Sequence, residues 1–154
     1  MAKSKINKLI LLMIMLIASV VFLESKLNVN NITLYINWKI FLPKPTSETT
    51  IFKYEYREGE DLRIWNYENN DNVPLFSKKL DKINNINLVK TLIEKYYSYL
   101  NESEQELFKK NIDYDTILST DNYYLYKTEN NERGMLILIF SEKEKKLYIF
   151  NVNH

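Results

Sequence analysis

The longest apolar run in the chain is Leu9–Leu23, LILLMIMLIASVVFL, fifteen residues without a charge. Lys3, Lys5 and Lys8 precede it, and Glu24 and Lys26 close it. A basic flank followed by an apolar run is the pattern of a secretory signal or a signal anchor. At about 1.5 Å per residue such a helix covers about 22 Å, short of the ~30 Å hydrocarbon core. Ile6 and Asn7, with a snorkelling Lys8, lengthen the usable helix to about 18 residues. A cleavable signal ends on small residues, but bulky Val20, Val21, Phe22 and Leu23 follow Ala18 and Ser19. The run therefore reads as an uncleaved transmembrane anchor through the lipid bilayer, with a cleaved signal as the alternative. The lysines place residues 1–8 in the cytoplasm and the C-terminal region outside.

Beyond the run the periodicity changes. From Ile32 to Leu42 apolar residues alternate: Ile32, Leu34, Ile36, Trp38, Ile40 and Leu42 share one parity. That predicts a half-buried strand. An interfacial segment is the rival reading, because Tyr35, Trp38 and Lys39 lie close to the anchor. Pro43 and Pro45 stop regular structure, and Thr46–Thr50 reads as a polar linker. Residues 24–50 thus form a juxtamembrane stretch, and 51–154 an exported domain. Ile51–Arg57 and Leu62–Tyr67 predict a hairpin turning at Glu58–Asp61. Phe76, Leu80 and Ile83 have helical spacing. Leu88, Leu92, Ile93, Tyr96, Tyr99 and Leu100 trace one stripe of a firmer helix. Asn101 or Ser103 caps the next helix, docked by Leu107 and Phe108. Tyr123–Thr128, Met135–Phe140 and Lys146–Val152 predict an antiparallel three-stranded meander, with the apolar MLILIF segment at its centre. The fold class is α+β: an N-terminal hairpin and a C-terminal meander packed on two or three helices.

Composition narrows the chemistry. The 154 residues contain no Cys, one His (His154), two glycines and a formal net charge of +1. That excludes disulfides, thiolate ligands, a lipid-anchor cysteine and an internal Ser-His-Asp triad. Gly59 and Gly134 stand alone, so no glycine loop cradles a nucleotide. Without Lys3, Lys5 and Lys8 the chain holds 18 basic and 20 acidic residues. No basic stripe for nucleic acid follows from that balance. Lys over Arg, with abundant Asn and Ile, is the codon signature of an AT-rich genome such as that of a low-GC bacterium.

Three clusters carry possible chemistry. Asp113-Tyr114-Asp115-Thr116 resembles the D-x-D-x-T motif of phosphotransferases that use an aspartyl phosphate. Its Thr comes one place early and no apolar strand precedes it, so a helix-capping turn explains the residues better. Glu68–Asn72 offers hard oxygen atoms but lacks the glycine and distant Glu of a calcium loop. Glu55, Glu58, Glu60 and Asp61 could pair as carboxylates, yet all read as solvated charges around a turn. No metal, cofactor or catalytic residue is assigned. The aromatic residues point instead to recognition. Trp65, Tyr67, Tyr96 and Tyr97 are the candidate binding residues, because Tyr and Trp suit interfaces. Sheet filling by Tyr is the plainer account.

Ile93–Asn101, IEKYYSYLN, resembles the opening helix of cystatin-like and NTF2-like domains, where a helix ending in Tyr-x-x-Leu precedes a curved antiparallel sheet. The resemblance implies that order of elements and carries no functional residues. The sequence reads as a single-pass membrane protein whose small extracytoplasmic domain binds a protein or envelope component without catalysis. A secreted effector or inhibitor, and a membrane-bound immunity-type protein, are the alternatives.

Overall fold

The computed structural model describes residues 29–53, 59–68, 79–129 and 134–153, together with Met13 and Phe76. The chain divides into two units, Met1–Lys44 and Pro45–His154. In the first, the described element is a helix, α1 (Val29–Trp38). The expected strand over 32–42 is therefore corrected: 32–38 are helical, and 39–42 are neither helix nor strand. Alternation by two contains every i, i+4 pair, so it cannot by itself separate strand from helix. Leu34 and Trp38, four apart, are the buried pair. Lys39 ends the helix with φ 55°, a left-handed conformation uncommon outside glycine. Among the described residues no helix is long and apolar enough to cross a membrane. The anchor expected over Leu9–Leu23 lies outside the described residues, apart from Met13.

The second unit is built on one six-stranded antiparallel sheet. Its strands are β1 (Ser47–Phe52), β2 (Gly59–Asn66), β3 (Asp81–Lys82), β4 (Tyr123–Thr128), β5 (Gly134–Ser141) and β6 (Lys146–Asn153). Their order in space is β1-β2-β6-β5-β4-β3. The expected meander is present, with Met135↔Val152 and Ile139↔Tyr148 in register. The expected hairpin joins the same sheet through Leu62↔Phe150. Its first strand starts earlier than expected, because β1 takes in most of the Thr46–Thr50 stretch read as linker. Those polar residues suit it, since β1 is an edge strand. Of the turn expected at Glu58–Asp61, Gly59–Asp61 lie in β2 instead, and Glu58 is outside the described residues.

Helices cover one face. α2 (Ile86–Tyr99) is capped by Asn85, whose side chain accepts from Leu88 N at 3.1 Å. It buries Val89, Leu92, Ile93 and Tyr96. The stripe is rotated slightly from the expected one, leaving Leu88 and Tyr99 exposed. α3 (Glu102–Asn111) starts with a capping box of Asn101 and Glu104 rather than Ser103 and Glu106. Its acidic first turn and basic last turn complement the helix dipole. α4 (Tyr114–Ile117) is capped by Asp113, which also accepts from the Thr116 hydroxyl at 2.6 Å. The Asp113–Thr116 cluster is thus a capping turn, and that hydrogen bond holds the Asp113 carboxyl below its usual value. The helix expected over Phe76–Ile83 does not extend through Leu80. Phe76 is helical and its carbonyl accepts from Lys79 N and Leu80 N, after which the chain turns and Asp81–Lys82 pair with Tyr123 and Tyr124.

The core between helices and sheet centres on Phe108, which is fully buried against Tyr96, Tyr97, Tyr114 and Phe150. Phe108→Ala is expected to cost about 3–5 kcal/mol. That is a large share of the stability of a domain this size. Urea unfolding measures it, and a loss below 1 kcal/mol would refute the central place given to this ring.

Candidate functional site

The four aromatic residues singled out from the sequence do not form one surface. Tyr96 is fully buried on α2 and its hydroxyl donates to the Asp61 carbonyl at 2.9 Å. Burial, reinforced by the Asp61 charge, raises its pKa well above the usual phenol value. Tyr97 is half-buried. Its hydroxyl donates to Gln105 Oε1 at 3.1 Å, and the Lys109 ammonium stands 5.6 Å from its ring centroid. Both Trp65 and Tyr67 are buried toward the opposite face of the sheet. Tyr67 meets Phe76 and Phe140 edge-on, and Phe76 stacks on Phe140 with centroids 4.1 Å apart. Of the four, Tyr97 is the one with appreciable exposed surface.

Two charged residues that the sequence assigned to solvent, or left unremarked, lie inside. Asp61 and Arg63 form an ion pair at 2.8 Å, with side chains only 13% and 8% exposed. Strand alternation puts them on the same face as Trp65. Burial raises the Asp61 pKa, and the Arg63 charge beside it and the Asn151 amide only partly offset this. Arg63 Nε and the Trp65 indole Nε1 are buried without a hydrogen bond in the protein. The pair is incompletely satisfied, so it costs stability relative to a well-packed apolar pair.

Among the described residues a cavity of about 260 Å³ lies elsewhere. Asp115, Asp121 and Asn122 line it from the α4 side, and Ser141, Lys143 and Glu144 line it from the β5–β6 turn. Asn122 is buried and fixes the floor. Its amide donates to the Thr116 carbonyl at 2.7 Å and the Ile117 carbonyl at 3.1 Å, satisfying carbonyls at the end of α4. Ser141 is also buried, and its hydroxyl accepts from Glu144 N at 3.3 Å. Glu144 Oε2 accepts from the Tyr148 hydroxyl at 2.6 Å and lies 3.3 Å from Lys146 Nζ. Burial and that carboxylate raise the Tyr148 pKa. The Lys145 backbone has φ 55°, which shapes this turn.

This cavity is smaller and more polar than the usual cleft for an organic ligand. Its lining offers hydrogen-bonding groups from Asp115, Asp121, Asn122, Ser141, Lys143 and Glu144. Among the described residues no group of three or more His, Cys, Asp or Glu is placed to hold a metal ion. Of the Glu68–Asn72 loop, 69–72 lie outside the described residues, as do Glu55 and Glu58. Sequence reasoning missed the cavity because its two walls are turns some twenty residues apart. The Asp-, Ser- and Asn-rich composition of 113–122 was its one available signal.

Comparison of the chain with protein-family models, with characterised proteins and with solved structures finds no match.

The raised Asp61 pKa has a signed consequence. The folded state takes up the proton more readily than the unfolded chain, so this group adds stability as pH falls through its folded pKa and loses it again as pH rises. Wild type is therefore expected to gain on Asp61→Asn between pH 7 and pH 4. Urea unfolding at each pH reads the difference, and a wild type that instead loses ground on acidification would show that Arg63 outweighs burial. In a second test Asp61→Leu alone is expected to lose about 3–5 kcal/mol, and the pair Asp61→Leu with Arg63→Leu to recover most of that loss. A double variant no better than the single one would refute the costly-pair account.

Proposed function

We propose that the protein is a single-pass membrane protein with a cytoplasmic N-terminus, whose exported α+β domain binds a protein or envelope component. The observation that carries this reading is the block of Lys3, Lys5 and Lys8 followed by the fifteen uncharged residues Leu9–Leu23. Charge asymmetry across an apolar run sets orientation, with the basic side retained in the cytoplasm. A folded domain follows the run, and the unit Pro45–His154 has its own core. The residue types that supply activated nucleophiles are scarce, with no Cys and a single His at position 154. That favours binding over catalysis. The polar cavity between α4 and the β5–β6 turn, with half-buried Tyr97 as a second candidate, is the surface we assign to recognition.

Topology tests the proposal. The chain is given a C-terminal tag and expressed in a low-GC Gram-positive host, with membranes separated from medium and intact cells treated with protease. Full-length tagged protein is expected in the membrane and should be degraded by external protease. A shortened product in the medium would replace the anchor by a cleaved signal and favour a secreted effector. Membrane-bound protein that resists protease until lysis would overturn the orientation.

A further inference from the structure

Among the described residues, large apolar side chains that stay exposed are few, and most stand singly. Ile86, Leu88, Tyr99 and Leu107 are of this kind on α2 and α3. Singly scattered apolar residues need no explanation. The segment around the end of α1 is different. Tyr35 is 53% exposed, Ile36 61% and Phe41 46%, three large apolar side chains within seven residues. The same segment buries Leu34, Trp38, Ile40 and Leu42, so it carries both buried and solvent-exposed apolar residues.

Lys39 ties this set together. Its backbone N–H donates to the Tyr35 carbonyl at 2.9 Å, and its ammonium donates to the Ile36 carbonyl at 3.0 Å. The same ammonium stands 5.6 Å from the Tyr35 ring centroid. Carbonyls at the end of α1 are thereby satisfied, and a cation sits over the aromatic face. An aromatic ring, a branched aliphatic chain and a lysine at a helix end form the mixture found at membrane–water boundaries.

Two features of the chain say what this surface meets. Only five residues, 24–28, separate Leu23 from Val29. Even fully extended, that spacer lets α1 begin no more than about 20 Å from the end of the apolar run. Charge gives the second feature. Between Ser25 and Lys44 there are three lysines and no carboxylate, whereas 45–154 carry 15 basic and 19 acidic residues. An anionic lipid surface attracts the first stretch and repels the second.

We propose that α1 and the turn after it lie at the bilayer surface, with Tyr35, Ile36 and Phe41 inserted at the headgroup–acyl boundary and the acidic domain held away from it. This rests on the reading of Leu9–Leu23 as an anchor. The set acts as a collar that fixes the height of the domain above the membrane, through apolar burial with electrostatic assistance.

The absence of Cys makes the test direct. Single cysteines are introduced as Ile36→Cys and Phe41→Cys, with Leu88→Cys and Leu107→Cys as references on the domain, and each carries an environment-sensitive fluorophore. The full chain is reconstituted into vesicles of phosphatidylcholine and phosphatidylglycerol. Quenching by nitroxide-bearing lipid and by aqueous iodide is then compared between positions in co-floating material. Labels at 36 and 41 are expected to be quenched severalfold more by the lipid nitroxide than the label at 88, and severalfold less by iodide. Labels at 36 and 41 as open to iodide as position 88, in protein that still floats with the vesicles, would overturn the collar and leave the anchor standing. Labels shielded from iodide yet out of reach of the nitroxide would also overturn it, assigning the patch to a protein contact. Protein that fails to float would overturn the anchor reading and the collar with it.

Discussion

The fold depends on β5 being buried on both of its faces. Every residue from Gly134 to Ser141 is out of solvent. A strand with apolar side chains pointing both ways cannot lie at an edge or under a single layer, because one side would then face water. It must have a strand on each side and cover above and below. β4 and β6 supply the neighbours. On one face Met135, Ile137 and Ile139 join the core that α2, α3 and α4 complete. On the other, Leu136, Leu138 and Phe140 are buried with Trp65 and Leu147, and Phe76 closes over Phe140. Sheet order follows from that demand: the polar strands β1 and β3 take the two edges, and the apolar strands occupy the middle.

Tyrosine hydroxyls connect these layers. Tyr96 is held in the core by its ring and fastened to β2 by one hydrogen bond to the Asp61 backbone. Tyr148 fills the same core and reaches out to Glu144 in the β5–β6 turn. In each case an apolar ring buries area while its single polar atom finds a partner at the rim. This is a use of tyrosine distinct from surface recognition, and it accounts for Tyr96 lying inside. Trp65 is less satisfied, because its indole nitrogen has no hydrogen bond in the protein.

What was legible in the sequence follows the same physics. β5 and β6 could be read directly because apolar runs between turn signals admit few other folds. α2 could be read because its stripe spans four turns. The cap of α3 was narrowed to two residues, and the short side chain of Asn101 reaching Glu104 N decided between them. The segment at 32–42 was misread because alternation is common to a strand and to an i, i+4 helix face. Asp61 and Arg63 were hidden for a different reason. A charge near a turn reads as solvated, and nothing local reveals that β2 lies between β1 and β6 with that face covered. The cavity is a tertiary object made of two turns, so neither turn announced it.

The two halves of the chain use their apolar residues differently, and this is the thread that joins fold to placement. From Pro45 onward the central strands and the helices turn large side chains inward, and the exposed exceptions stand apart from one another. Among the described residues of the Met1–Lys44 unit, Tyr35, Ile36 and Phe41 are exposed within seven residues around the helix end, beside Lys39 and with no carboxylate among residues 25–44. A polar environment on all sides would favour polar residues at 35, 36 and 41. An environment that changes from apolar to polar over a few ångströms favours the mixture observed. The boundary of a bilayer, proposed above, is such an environment, and five residues separate the start of α1 from an apolar run with a basic flank.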